Sequence, residues 1–91
     1  MRKPPGAKRD RRLVKQFGTY LKQCRLLVPM SQKDLEGITG VPPGVISNVE
    51  RGIRLPPLAY IRIWIKTVKA DKDAVFSMLE NIEKERLMRV I

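Results

Sequence analysis

Histidine is missing from this chain of 91 residues, cysteine occurs once, at Cys24, and Phe, Trp and Tyr together make up only 5%. Without histidine the chain lacks the commonest general base and the usual zinc-ligand set, and one cysteine cannot close an internal disulfide. Hydrolytic catalysis and metal binding are therefore not expected: the sequence predicts no catalytic residue, no metal and no cofactor. Long apolar runs are also missing. None approaches the roughly 18 residues that span a bilayer, and the charged start has no apolar stretch of the kind that opens a secretion signal. These features predict a soluble, cytoplasmic protein with no membrane partner. Acidic residues are scarce as well, with 9 Asp and Glu against 19 Lys and Arg, a formal charge of +10. A polyanion is the obvious partner for such a balance. Charge alone serves solubility or attraction to anionic lipid equally well.

The excess charge is uneven: Met1 to Arg12 holds six basic residues and one acid, while Asp71 to Ile91 holds four and five. With 43% apolar residues the length suits one small domain with a modest helical core. The first segment, 1–10, is rich in Pro, Gly and basic residues without apolar periodicity, which predicts a flexible arm whose final residues are free to join the first helix. From Arg11 to Leu27, Leu13, Phe17, Leu21, Cys24 and Val28 recur every three or four residues, the spacing of one helix face, and Pro29 ends it. Cys24 lies on that stripe and reads as a small core residue, with a redox role as the alternative.

The richest stretch runs from Ser31 to Gly52. Ser31 is a good N-cap, Asp34 sits where a helix dipole favours a carboxylate, and Leu35 and Ile38 supply an inward face. Gly40 is able to take the positive φ that ends a helix, and Val41 can pin the corner. A second short helix fits from Pro42 or Pro43, since a first turn tolerates proline, and Gly52 closes it. Two short helices about a glycine turn form a helix-turn-helix signature. Further on, Leu58 to Lys69 is ambiguous: Ile61, Ile63 and Ile65 alternate as in a strand, yet Leu58, Ile61, Ile65 and Val68 trace a helix stripe with Trp64 beside it. With no second strand available for pairing, the helix is preferred. Segment 71–91 predicts an amphipathic helix capped by Asp71, with Val75, Met78, Leu79 and Ile82 inward.

From about Leu21 to Val68 the chain resembles the Cro/repressor type of helix-turn-helix domain, the XRE family. The resemblance is carried by Leu21 and Arg25, Ser31-Gln32, Leu35, Gly40-Val41, Ile46-Ser47, Val49-Glu50-Arg51-Gly52 and Pro56 or Pro57. It implies an all-α, five-helix domain over 11–70 that binds double-stranded DNA with its third helix, Pro43 to Arg51, in the major groove. The basic N-terminal arm precedes this domain, and the C-terminal helix follows it.

By position, Gln32 matches a phosphate-holding residue, and Pro43, Gly44, Ser47 and Asn48 match positions that face base edges. Asn48 has the best chemistry, because its amide donates and accepts at adenine; the alternative is a solvated polar residue or a phosphate contact. The pair Glu50 and Arg51 in the family ties the recognition helix to its domain, a role favoured for Glu50. Lys33, Arg51 and Arg54 are candidate phosphate contacts, each contributing about 0.9 to the salt slope of binding. Arg2, Lys3, Lys8, Arg9, Arg11 and Arg12 are candidate arm contacts to DNA, against the reading of a solubilising tail.

Three departures from the family pattern involve four positions. Pro43 and Gly44 bring no hydrogen-bonding side chain, Glu36 stands where a small residue is usual, and Thr39 replaces a usual Leu, with Ile38 placed to take over the burial. An unpaired carboxylate at Glu36 must point outward, shift the packing or find a cation.

Leu79, Ile82, Leu87 and Val90 belong either to the core or to a dimer contact, and a homodimer is expected because one small reading surface gives limited specificity. The function expected is a non-enzymatic, sequence-specific transcriptional repressor of bacterial, phage or plasmid origin. The alternative is an antitoxin-like or adaptor protein that holds a protein partner through the C-terminal helix and uses DNA binding for autoregulation. RNA binding is a third reading, for which the chain has charge but few aromatics.

Overall fold

The computed structural model describes residues 7–90, with side chains from 10 to 88. Five helices follow one another: α1 Ala7–Leu27, α2 Gln32–Thr39, α3 Val45–Glu50, α4 Leu58–Thr67 and α5 Lys72–Val90. No strand occurs among the described residues. Arg2 and Lys3 lie outside them, and Lys8 and Arg9 contribute backbone to α1 with side chains outside the description.

The periodicity of α1 explains its length. Phe17 and Leu21 are wholly buried at the middle of the expected stripe, while Leu13 and Cys24 pack at its edges. Helix α1 starts at Ala7, so the end of the basic segment continues into it. Asp10 in its first turn is buried and accepts from Arg86 Nε at 3.1 Å, which ties this end to α5. The centre of the domain is built from Phe17, Leu21, Leu35, Ile46, Val49, Trp64, Val68, Val75 and Ile82, all almost fully buried. Each large apolar side chain so buried contributes roughly 1.5–3 kcal/mol relative to exposure.

The ambiguous segment is helix α4, as its stripe predicts, with Trp64, Ile65 and Val68 inward. Leu58 differs from expectation: it is 86% exposed. It is the first helical residue after the Pro57 cap, and side chains lean toward a helix N-terminus, so Leu58 projects past the packed part of the helix over the preceding loop. The α4 end contains a conformation the sequence did not announce, Lys69 at φ 56°, with Ala70 N–H donating to the Ile65 carbonyl at 3.0 Å. A side chain in this left-handed region is strained. Lys69→Gly is expected to raise stability by up to about 1 kcal/mol in a denaturant melt, and a loss instead would show that the turn is set by the side chain.

Asp71 opens α5, its Oδ1 accepting from Asp73 N–H at 3.1 Å and its own amide donating to the Tyr20 hydroxyl at 2.9 Å. Burial pushes the Tyr20 phenol above its ordinary pKa. Of the four residues open to core or dimer roles, Ile82 goes wholly into the core, Leu79 packs partly against it and Leu87 is exposed. The side chain of Val90 lies outside the description.

Candidate nucleic-acid interface

Helix α2 begins as its sequence dictates. Ser31 Oγ accepts from Asp34 N–H at 2.9 Å, and the Asp34 carboxylate accepts from Ser31 N–H at 3.3 Å, a complete capping box. The helix ends at Gly40, φ 76°, whose N–H donates to the Glu36 carbonyl. Thr39, not Ile38, is the buried member of the pair; Ile38 is 54% exposed. Leu35 and Thr39 are one helical turn apart and so share the inward face, whereas Ile38 is rotated off it. Burial of the threonine is tolerated because its hydroxyl donates to the Leu35 carbonyl at 2.7 Å and accepts from Val41 N–H at 3.3 Å.

Between the helices, Pro42-Pro43-Gly44-Val45 makes a type II turn. Gly44 lies at φ 83°, ψ −18°, and Val45 N–H donates to the Pro42 carbonyl at 3.2 Å, with proline and glycine at the two central positions that this turn favours. The turn delays the third helix, so the expected start at Pro42 or Pro43 becomes Val45. Proline also disfavours helical geometry in the residue before it, which keeps Pro42 out of the helix. Glu36 meets the need anticipated for it in an unexpected way: half-buried, its Oε1 accepts from Gly44 N–H at 3.4 Å, so an amide at the α2–α3 turn takes the place of a cation.

The orientation of α3 is set from behind. Arg25 Nε and Nη2 donate to the two Glu50 carboxylate oxygens at 2.7 and 3.0 Å, Arg25 Nη1 donates to the Met30 carbonyl at 2.7 Å, and Gln32 Nε2 donates to Glu50 Oε1 at 2.9 Å. Arg25 and Glu50 are both buried. This bidentate pair joins α1, α2 and α3 at one point and leaves the outer side of α3 clear. Backbone contact reinforces it: a Cβ added to Gly18 in α1 would run into the Val49 carbonyl, and one added to Gly52 would stand 2.7 Å from Lys15 Cα.

On the outer side stand the exposed Pro43 and Gly44 and the half-buried Ser47 and Asn48. Lys33, Arg51 and Arg54 are exposed, as are Arg11 and Arg12 on α1. Arg51 Nη2 donates to Asn48 Oδ1 at 2.9 Å, and Arg54 Nε donates to the Leu55 carbonyl at 3.3 Å. The contact of Gly52 with Lys15 brings a further exposed cation to the end of α3. Sequence reasoning missed Lys15; its one signal was its place one turn after Arg11 on the same helix face.

The helix-turn-helix family profile matches residues 21–68, just over half of the chain and the span that holds α2, α3 and the Arg25–Glu50 pair. This chain belongs to the helix-turn-helix family. The helix-turn-helix protein is of the Cro/repressor type, a DNA-binding transcriptional regulator, and its all-helical architecture agrees with that type. Comparison with curated proteins and with solved structures finds no match. In this helix-turn-helix protein no group of metal-ligating side chains occurs among the described residues, and no described helix is long and apolar enough to cross a membrane.

Proposed function

We propose that this regulator is a non-enzymatic, sequence-specific repressor that binds operator DNA as a homodimer, with α3 entering the major groove. The observation that carries this reading is the buried Arg25–Glu50–Gln32 network, which fixes α3 by its inner side. Pro43, Gly44, Ser47 and Asn48 then meet base edges. Gln32, Lys33, Arg51 and Arg54 hold phosphates, Gln32 through the amide hydrogen not given to Glu50. Lys8, Arg9, Arg11, Arg12 and Lys15 extend the basic tract along α1, with Arg2 and Lys3 ahead of it in the chain as further candidate contacts.

Selection of bound sites from random duplex DNA at near-physiological salt tests the reading. The expected pool contains an inverted repeat with half-site centres about one helical turn apart; retention without any enriched sequence would exclude sequence-specific repression. Lys15→Ala is expected to lower the slope of log affinity against log salt by about 0.9 for each DNA-bound copy while leaving the enriched sequence unchanged. A slope that stays the same removes Lys15 from the interface.

The exposure of Phe76, Leu87 and Met88 on α5 supports a protein contact there. A second copy is the occupant in the repressor reading, and an unlike protein is the occupant in the antitoxin-like or adaptor reading. Light scattering of the purified chain separates them: a dimer mass supports the former, and a monomer that becomes stable only with a co-purified partner supports the latter.

A further inference from the structure

Asn48 and Arg51 lie three residues apart, and the arginine donates to the asparagine's Oδ1 at 2.9 Å. A guanidinium carries only donors, so this contact decides which end of the amide faces it. The oxygen turns to Arg51, keeping one further lone pair, and both Nδ2 hydrogens are left to donate outward. Glu50, the carboxylate nearest in sequence, does not compete for Arg51, because both its oxygens are held by Arg25.

We propose that Arg51 is a positioning residue that fixes the Asn48 amide and sets its own donors beside the Nδ2 hydrogens, so that this position favours guanine over adenine. The proposal rests on the DNA-binding reading above, with α3 in the major groove. Adenine recognition by asparagine needs both ends of the amide, the oxygen accepting from N6 and the nitrogen donating to N7. Oδ1 keeps a second lone pair, but an adenine N6 amino group brought to it would stand beside the N–H groups of Arg51, donor against donor. Guanine presents N7 and O6, both acceptors, to the same edge. The Asn48 Nδ2 hydrogens and the remaining N–H groups of Arg51 are complementary to that edge, and the positive charge of the guanidinium adds to the attraction. The neighbouring Pro43 and Gly44 bring no hydrogen-bonding side chain, so this pair carries a large share of the direct readout.

The test compares site selections from random duplex DNA by the full chain, Asn48→Ala and Arg51→Met, the last keeping the apolar stem without its donors. The position read by residue 48 is the one whose preference Asn48→Ala erases. At that position the natural chain is expected to enrich guanine over adenine about tenfold or more, the range of one good base contact. In Arg51→Met the amide is free to rotate and the ratio moves to parity or toward adenine. Because the readout is a ratio within the bound pool, a uniform loss of affinity from a missing phosphate contact does not alter it. Replacing that guanine by 7-deazaguanine in the selected site, with the natural chain, is expected to weaken binding several-fold. Enrichment of a base other than guanine there, an unchanged ratio in Arg51→Met, or no position that depends on Asn48 overturns the proposal while leaving DNA binding intact. Failure to retain any duplex DNA overturns the underlying reading as well.

Discussion

Gly18→Ala is expected to lower the stability of the domain by about 2–3 kcal/mol, while the same change at Gly37 raises it by about 0.5–1 kcal/mol. Both glycines lie inside helices, where alanine is intrinsically better because it restricts the unfolded chain and has the higher helix propensity. What separates them is the space for one methyl group. At Gly37 a Cβ meets nothing within 4 Å, whereas at Gly18 it collides with the Val49 carbonyl of α3. The obstacle is backbone, so no rotamer change relieves it, and α1 and α3 must move apart. Urea unfolding followed by far-ultraviolet circular dichroism measures both variants. A neutral Gly18→Ala would show that the two helices do not cross as closely as described. The displacement also moves α3, so DNA affinity in Gly18→Ala falls even below the temperature at which the variant melts.

Glu50→Ala is the second large effect, an expected loss of about 3–5 kcal/mol, because it leaves the Arg25 guanidinium buried without its carboxylate. For a domain of this size, whose total stability is on the order of 5–14 kcal/mol, that is a large share. Replacing both members together, as Arg25→Met with Glu50→Leu, is expected to recover most of the loss, since an apolar pair of similar volume carries no unpaired charge. A double variant no more stable than Glu50→Ala alone would mean that the other contacts, Gln32 to Glu50 and Arg25 to the Met30 carbonyl, account for the stability. DNA binding is expected to follow a different order. The double variant stays weak even when stable, because the salt bridge that sets the angle of α3 and the partner of Gln32 are both gone.

Local chemistry made much of this legible in the sequence. Ser31, Asp34 and Gly40 mark the ends of α2 because caps depend on residues within a few positions of each other, and the structure has the capping box and left-handed glycine they imply. The helix α4 was readable from the want of any pairing strand, and Glu50 as a structural residue came through the family pattern. Features that depend on distant partners were hidden. Gly18 looks in the sequence like a weak point of α1, and only the crossing with α3 gives it a purpose. The exchange of Ile38 for Thr39 was missed because hydrophobicity favours isoleucine, whereas helix phase and two hydrogen bonds favour the threonine. The delayed start of α3 is a different case, since Pro42-Pro43-Gly44 carries the signature of a type II turn and position alone sufficed to read it. Lys69 gave no sign of its positive φ, a glycine-like conformation in a residue of another type.

Trp64 is the chain's one tryptophan, wholly enclosed, and its indole N–H is buried without a hydrogen-bond partner. An indole in such surroundings emits at a shorter wavelength than one in water, so the chain carries its own optical record of whether the core is closed. Because Trp64 belongs to α4 and not to the outer side of α3, that emission stays constant when a ligand leaves α3 and shifts to the red only when the core opens. A single fluorescence trace therefore separates variants that have lost a ligand contact from variants that have lost their structure.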